Sequence, residues 1–252
     1  MSAALDLLRR HLRGALVALD FDGTLAPIVA RPQDARPQEG VREVLLALLD
    51  AGAKVVVLTG RPALSAVTLG DLDRLPGLIV LGHYGMQRWA DGALLSPAPD
   101  PRLEQVRAAL PALLPPGATV EDKEHSVVVH VRGTPEPARA VALLRVPLTT
   151  LAINAGMECV PGRFVWELRP AGMDKGVALR ALAAESSPAA VLVAGDDLGD
   201  LPMFAAARAL GVPSWCVAVA GDDAPAEVAA AADLLLADPA SLVAWLGGLV
   251  GS

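Results

Sequence analysis

Short runs of apolar residues alternate along most of the chain with longer stretches whose apolar positions recur at helical spacing. Runs that are apolar throughout are typical of strands covered on both faces of a sheet. Their alternation with helices predicts an α/β protein with a parallel sheet. The predicted strands are Ala15–Asp20, Lys54–Leu58, Leu78–Leu81, Val191–Ala194, Cys216–Val219 and Leu234–Leu236. The predicted helices lie near Glu39–Ala51, Pro62–Leu69, Lys175–Ala184, Leu201–Leu210 and Pro225–Ala232.

The middle of the chain does not follow this pattern. Two helical stretches, near Pro101–Leu113 and Pro137–Leu144, are separated and followed by segments that predict antiparallel strands, with a turn at Pro161 and Gly162. Such a segment inside a parallel α/β chain indicates an inserted domain. We therefore predict a doubly wound parallel-sheet core of residues 1–96 and 168–252, with an inserted α+β domain of residues 97–167.

Composition and charge limit the classes of partner. The formal net charge of −7 disfavours nucleic-acid binding, which needs a basic face. No apolar run approaches the ~18 residues that span a bilayer, and the first residues lack the apolar core of a signal peptide. The separate Cys159 and Cys216 are expected to be reduced thiols. We expect a cytoplasmic protein without nucleic-acid or membrane partners; a monomer is expected, and an oligomer is left open.

Acidic residues are concentrated where two predicted strands end. Asp20 and Asp22 follow the first strand, and Asp196, Asp197 and Asp200 follow a later one. Ligands bind outside the carboxyl ends of strands in an open parallel sheet, so neighbouring strands would bring at least three carboxylates together. Carboxylates ~4 Å apart repel by several kcal/mol, which a cation would offset. Oxygen ligands without nearby His or Cys predict a hard ion such as Mg²⁺, which commonly binds with a phosphate.

A threonine and a lysine at the same edge of the sheet fit a phosphate. Thr59 ends a predicted strand, so its hydroxyl and the backbone N–H of Gly60 would face the crevice, and Lys175 begins a helix. With a cation they would neutralise a phosphoryl group that an aspartate attacks. The attack gives a phosphoaspartyl intermediate, and an acid two residues later can protonate the leaving alcohol and then deprotonate water.

The stretches "DFDGT", "LTGR", "KG" and "GDD", in this order, resemble the four motifs of the haloacid dehalogenase superfamily of phosphatases. The resemblance implies that Asp20 is the nucleophile, Asp22 the general acid/base, and Thr59 and Lys175 the phosphate-binding side chains. Superfamily ATPases carry threonine in place of Asp22, so an acid here favours hydrolysis. The implied metal ligands are Asp20, the backbone carbonyl of Asp22, and Asp196, with Asp197 in support.

The inserted domain resembles a narrower family. "VEDKEHSVVVHVR" and "WELRPAGMDKGVAL", together with "LDFDGTLAPIV" and "GDDLGDLPMF", look like the trehalose-6-phosphate phosphatases. By this resemblance Glu121, Lys123 and Glu167 would bind sugar hydroxyls, with His130 and Arg132 close by. Buried charged groups suit a polyol because their hydrogen bonds to hydroxyls discriminate strongly. On the residues alone, an alternating strand with solvent-facing polar side chains remains open.

Four positions depart from the family pattern. Tyr84 and Gln87 stand where the family has His and Glu, and Gly199 and Leu201 where it commonly has Thr and an acid. The expected function is Mg²⁺-dependent hydrolysis of trehalose 6-phosphate in trehalose biosynthesis. The alternatives are a phosphatase of another sugar phosphate, such as sucrose 6-phosphate or a glucosylated phosphoglycerate, a phosphomutase, and a non-catalytic sugar-phosphate sensor.

Overall fold

The computed structural model describes residues 8–29, 31–162, 164–219 and 225–251. The chain divides into two compact units, Met1–Ser96 with Asp174–Ser252 and, between them, Pro97–Met173. The predicted second boundary, after residue 167, falls inside a strand, Val165–Pro170. That strand pairs along its whole length with Met157–Gly162 of the inserted unit, so the inserted unit continues to Met173.

The described strands, in chain order, are β1 (Ala15–Leu19), β2 (Lys54–Leu58), β3 (Ile79–Gly82), β4 (Gln87–Ala90), β5 (Ala93–Leu95), β6 (Thr119–Asp122), β7 (Val127–His130), β8 (Met157–Gly162), β9 (Val165–Pro170), β10 (Ala190–Gly195), β11 (Ser214–Val219) and β12 (Leu234–Leu236). The α-helices that lie wholly within the described residues are α1 (Val41–Asp50), α2 (Ala63–Gly70), α3 (Arg102–Ala109), α4 (Pro137–Asn154), α5 (Lys175–Ser186), α6 (Leu201–Ala209), α7 (Ala226–Ala231) and α8 (Pro239–Val250).

The first unit contains an eight-stranded sheet with the order β12-β11-β10-β1-β2-β3-β4-β5. Neighbouring strands from β12 to β3 run parallel, and the hairpin β4–β5 extends the sheet antiparallel beyond β3. The predicted parallel core is confirmed, and each predicted strand is present with bounds within two residues of those expected. The hairpin and α8 were not predicted.

Both faces of this sheet are covered by helices. Val17 and Leu19 of β1 pack into a core shared with α1, α2 and α8, whereas Leu16 and Ala18 pack into a second core with α5, α6 and α7. Successive side chains of a strand point to opposite faces, so a strand buried on both sides must be apolar throughout. This is the physical reason for the uninterrupted apolar runs in the sequence.

The second unit is an antiparallel sheet of order β6-β7-β9-β8 with helices on one face. Leu103 of α3 and Leu144 and Leu148 of α4 pack in one cluster with Val127 and Val129 of β7. Helix α4 is longer than predicted and continues through Pro147 to Asn154. The helix buries Leu144, Leu148 and Ala152, which recur every four residues. Their packing on the sheet outweighs the cost of the backbone hydrogen bond that Pro147, which has no N–H, cannot donate.

Across the described residues, none of the helices combines the length and the apolar character that crossing a membrane requires.

Candidate active site

Three candidate residues come directly after three neighbouring strands of the first unit. Strand β1 lies between β10 and β2 and is parallel to both. Asp20, Thr59 and Asp196 are the residues that follow β1, β2 and β10. The carboxyl ends of parallel strands meet at one edge of the sheet, so the topology brings these three side chains to one crevice.

Carboxylates gather in this crevice. Among the described residues, Asp20, Asp196 and Asp200 each offer an oxygen atom within 4.8 Å of the others. Asp20 is 5% exposed and Asp200 is fully buried. The loop after β1 passes very close, because a Cβ atom on Gly23 would lie 2.0 Å from Oδ2 of Asp196. Only glycine lets this loop and the Asp196 carboxylate occupy their present positions.

Lys175 lies against these acids at the first position of α5. Its Nζ is 2.6 Å from Oδ1 of Asp20 and 2.7 Å from Oδ1 of Asp200. The helix begins here because Oδ1 of Asp174 accepts the Val177 N–H at 2.8 Å, which satisfies one of the free donors of the first turn. The cap therefore fixes the point from which the buried lysine reaches Asp20.

Asp200 belongs to this carboxylate group; the sequence analysis counted it among the acids after the later strand but did not name it as a metal ligand. Its Oδ2 accepts the backbone N–H groups of Asp196 at 2.9 Å and of Asp197 at 3.2 Å. Asp197, predicted as a supporting metal residue, is exposed, and its Oδ1 accepts the Gly199 N–H at 2.8 Å. The two acids form a capping box around the turn, so Asp200 and not Asp197 joins the carboxylate group. The sequence did carry a signal for Asp200, because it is the third acid of the stretch "GDDLGD".

The pKa values of Asp20, Asp196 and Lys175 are shifted from their ordinary values. Burial raises the pKa of Asp20 well above its ordinary value; Lys175 opposes this shift and the neighbouring acids add to it. Burial and the repulsion of nearby acids raise the pKa of Asp196 to about 7. Burial lowers the pKa of Lys175, but Asp20 and Asp200 more than offset this and hold it above its ordinary value. Within the group formed by Asp20, Asp196 and Asp200, the described carboxylates outnumber the one lysine that contacts them.

The donor set fits a hard divalent cation. The three grouped residues supply only carboxylate oxygens, the ligands that such cations prefer. Burial and the nearby acids raise the pKa of Asp196, and a bound cation would oppose both effects by favouring its charged form.

Asp22, the predicted acid/base, points its carboxylate to an arginine. Nε of Arg61 donates to Oδ2 of Asp22 at 2.5 Å, and Nη2 donates to Oδ1 at 2.5 Å. Arg61 is the last residue of the "LTGR" stretch and was not among the predicted site residues. The side chain of Asp22 thus lies outside the group formed by Asp20, Asp196 and Asp200.

The loop after β2 places the predicted phosphate-binding residues. Thr59 is buried, and its Oγ1 accepts the backbone N–H of Arg61 at 3.1 Å. Tyr84 lies over Gly60, since a Cβ atom at position 60 would be 2.8 Å from its hydroxyl oxygen. The backbone N–H of Tyr84 donates to the Thr59 carbonyl at 3.0 Å. Tyr84, which replaces a family histidine and follows β3, therefore packs against this loop.

Gln87, which replaces a family glutamate, holds the start of α2. It is buried, and its Oε1 accepts the backbone N–H of Ala63 at 2.9 Å while its Nε2 donates to Oγ of Ser96 at 3.3 Å.

The second unit gathers predicted sugar-binding residues on one face of its sheet. Glu121, Val128 and Glu167 form one row across β6, β7 and β9, and His130 lies two residues from Val128 on the same face. Nε2 of His130 is 2.8 Å from Oε2 of Glu121. The adjacent residues Val127 and Val129 point to the helices instead. The alternation of this strand thus separates a polar face from an apolar one.

Glu167 is buried on this face with two partners that the sequence analysis missed. Oγ of Ser126 donates to its Oε1 at 2.6 Å, and Nη1 of Arg169 lies 3.8 Å from its Oε2. Lys123 is half-buried and Arg132 is exposed.

A haloacid dehalogenase-like hydrolase from Bacteroides thetaiotaomicron shares this fold, with a TM-score of 0.64 at 17% identity, covering 94% of this chain and 100% of that chain. The family model described as "Trehalose-phosphatase" matches residues 18–231. The chain belongs to the trehalose-phosphatase family.

Individual relatives agree with this family. The chain is 35% identical over 198 residues to a bifunctional trehalose-6-phosphate synthase/phosphatase of Thermoproteus tenax, covering 75% of this chain and 26% of that protein. It is 32% identical over 212 residues to a trehalose-phosphate phosphatase of Mycobacterium marinum, covering 78% of this chain and 52% of that protein. It therefore spans about a quarter of the first and half of the second.

Among solved structures, trehalose-6-phosphate phosphatase of Aspergillus fumigatus superposes with a TM-score of 0.71 at 25% identity, covering 98% of this chain and 97% of that chain.

Proposed function

We propose that this chain hydrolyses trehalose 6-phosphate to trehalose and phosphate, with Mg²⁺ as its metal. The observation that carries the proposal is the family match over residues 18–231, which includes every candidate residue of both units. The relatives' names give the substrate, and the buried pair of Asp20 and Lys175 supports phosphoryl transfer as the chemistry.

In the proposed reaction, a carboxylate oxygen of Asp20 attacks phosphorus and the bond from phosphorus to the sugar oxygen breaks. Asp22 gives its proton to the leaving oxygen, which becomes the free hydroxyl of trehalose. Water then attacks phosphorus, the bond from phosphorus to Asp20 breaks, and Asp22 takes the water proton. Thr59, the N–H of Gly60 and Lys175 would hold the phosphoryl oxygens and stabilise the charge that develops on them.

Asp20, the backbone carbonyl of Asp22, and Asp196 would hold the Mg²⁺, while Asp200 orients Lys175 and the loop after β10. When bound, the ion supplies positive charge that neutralises the phosphoryl oxygens.

Mg²⁺ is expected to raise the melting temperature, and to raise it more at pH 7.5 than at pH 5.5. The pKa of Asp196 is about 7 in the fold against an ordinary 3.8, so between these values the folded chain holds a proton that the unfolded chain has released. The stability of the metal-free protein therefore falls as the pH rises through this window, and a cation that binds the ionised site restores it. At a hundredfold excess over Kd the gain is about 2.7 kcal/mol, or roughly 5–10 °C.

Differential scanning fluorimetry with Mg²⁺ and with EDTA at both pH values measures this shift. Asp196→Asn should abolish most of it, whereas Asp50→Asn, at the exposed end of α1, should leave it unchanged. An equal shift at both pH values would contradict the assignment of the ion to these carboxylates.

We also propose that Glu121, Lys123 and Glu167, with His130 and Arg132, recognise the sugar. Charged groups that bond hydroxyls at a desolvated site favour a ligand that presents those hydroxyls over one that lacks them. Ser126 and Arg169 support this recognition, since they hold the buried carboxylate of Glu167.

A phosphate-release panel tests the proposed function. It compares trehalose 6-phosphate, glucose 6-phosphate, sucrose 6-phosphate and 4-nitrophenyl phosphate with and without Mg²⁺. We expect kcat/KM to be highest for trehalose 6-phosphate, and Lys123→Ala to lower that value by about 10-fold or more while changing the aryl phosphate value by less than about threefold. The matched control is Lys54→Ala in β2, which should change neither. Equal values across the panel would contradict the substrate, and phosphate release without Mg²⁺ would contradict the metal.

A further inference from the structure

Arg61 connects the loop after β2 to the residue predicted to move protons. It follows Thr59 and Gly60, and its backbone N–H donates to Oγ1 of Thr59 at 3.1 Å. Its side chain crosses to the loop after β1 and contacts Asp22. One residue therefore touches both the candidate phosphate loop and the candidate acid/base.

The contact with Asp22 fixes a direction as well as a distance. Nε donates to one carboxylate oxygen and Nη2 to the other, each at 2.5 Å. Because the guanidinium group is planar and both bonds are made side by side, this fork holds the plane of the carboxylate. A lysine could provide the charge but not the orientation.

The guanidinium group of Arg61 has two further contacts besides Asp22. Nη1 donates to the Pro32 carbonyl at 2.8 Å, and the guanidinium carbon lies 5.6 Å from the centre of the Phe21 ring. The side chain is 14% exposed. Phe21 is fully buried between Asp20 and Asp22 in the chain, so the arginine is fixed against the same loop that carries both acids.

The fork leaves Asp22 able to react. The two bonds from Arg61 use one lone-pair site on each oxygen of Asp22. One site on each oxygen remains. It can carry the proton that Asp22 gives to the leaving oxygen, and after that step it can accept the proton of the attacking water. We infer that Arg61 is a positioning residue that orients the Asp22 carboxyl group for proton transfer, an inference that rests on the proposed function.

This role predicts an effect that depends on the leaving group. The alkoxide of a sugar phosphate needs a proton as it leaves, whereas 4-nitrophenolate leaves without one. Loss of a positioned acid should therefore slow the sugar phosphate far more than the aryl phosphate. Loss of a phosphate-binding or purely structural residue would slow both alike.

The test measures kcat/KM of Arg61→Gln for trehalose 6-phosphate and for 4-nitrophenyl phosphate, because this parameter includes leaving-group departure and excludes later hydrolysis of the enzyme-bound phosphate. We expect a loss of about 10²-fold on the first and less than about threefold on the second. Arg61→Lys keeps the charge but cannot make the two parallel bonds. Its kcat/KM should fall about 10-fold for trehalose 6-phosphate and less than about threefold for 4-nitrophenyl phosphate.

Two further variants complete the design. Arg88→Gln removes an arginine that donates to both carboxylate oxygens of Glu185, at 3.2 and 2.9 Å. This variant should leave kcat/KM unchanged for both substrates. In an Asp22→Asn background, Arg61→Gln should cause no further loss on trehalose 6-phosphate, because residues that act as a unit are not additive.

If the wild type is active but kcat/KM of the Arg61 variants falls equally for both substrates, the role of Arg61 is overturned and the proposed function stands. Additive losses in the double variant would have the same meaning. A wild type inactive on both phosphates would overturn the proposed function and the role of Arg61 with it.

Discussion

Replacing Asp20 by asparagine is expected to lower kcat for phosphate release from trehalose 6-phosphate by at least about 10³-fold, because the amide cannot accept the phosphoryl group. The side chain is buried beside Lys175, 2.6 Å from its Nζ, in one group with Asp196 and Asp200. Of these three acids Asp20 is the one that follows β1, whereas the other two belong to the loop after β10. Asparagine has nearly the same volume, and the loss should therefore come from chemistry rather than from packing. The measurement is steady-state phosphate release with saturating Mg²⁺ and substrate.

Asp50→Asn is the matched control, since Asp50 is exposed at the end of α1 and should keep kcat within about twofold of wild type. Circular dichroism and melting temperature show whether both variants are folded. A folded Asp20→Asn protein that retained a tenth or more of the wild-type kcat would contradict the role of Asp20 as nucleophile.

Replacing Lys175 by methionine is expected to lower the free energy of unfolding by about 3–5 kcal/mol at pH 7.5, the usual effect of removing one partner from a buried ion pair. Lys175 is 4% exposed and bonds both Asp20 and Asp200, which would then face each other without a cation. The same variant should lose phosphatase activity, because the phosphoryl oxygens lose their fixed positive charge. Urea denaturation with EDTA present measures the change in stability.

The loss of stability should shrink at pH 5. The pKa of Asp20 is raised well above its ordinary value by burial even with Lys175 present, so a carboxylate that lost this lysine would take up a proton readily at lower pH. Lys54→Met is the control, because Lys54 lies 3.7 Å from Glu185 on a partly exposed surface and should cost less than about 1 kcal/mol. A Lys175→Met protein as stable as Lys54→Met at pH 7.5 would contradict the account of the buried cluster.

Much of the fold was predictable because the core strands have a direct physical signature. A strand such as β1 is covered by helices on both faces and must be apolar at every position, which the sequence displays. Asp20 and Asp196 were predictable for a related reason: an acid directly after such a strand lies at the carboxyl edge of the sheet. Periodicity and position together therefore located the crevice.

Other features depended on contacts between distant segments. Helix α4 continues through Pro147 because its leucines pack on the sheet of the second unit, and local propensity alone predicted an earlier end. Helix α8 carried a readable start, since Asp238 caps it by accepting the Ser241 N–H at 2.7 Å. The contacts of Asp200 with Lys175 and of Arg61 with Asp22 join residues that are distant in the sequence, so the sequence placed both residues in motifs without showing their partners.

The stereochemical course at phosphorus tests the central claim, that Asp20 receives the phosphoryl group, most directly. Trehalose 6-phosphate made chiral at phosphorus with sulfur and oxygen isotopes would be hydrolysed by the wild-type protein, and the configuration of the released thiophosphate determined by NMR. Each in-line displacement inverts phosphorus, so transfer to an aspartate followed by attack of water predicts overall retention. Overall inversion would mean that water attacks the substrate directly and would contradict the account.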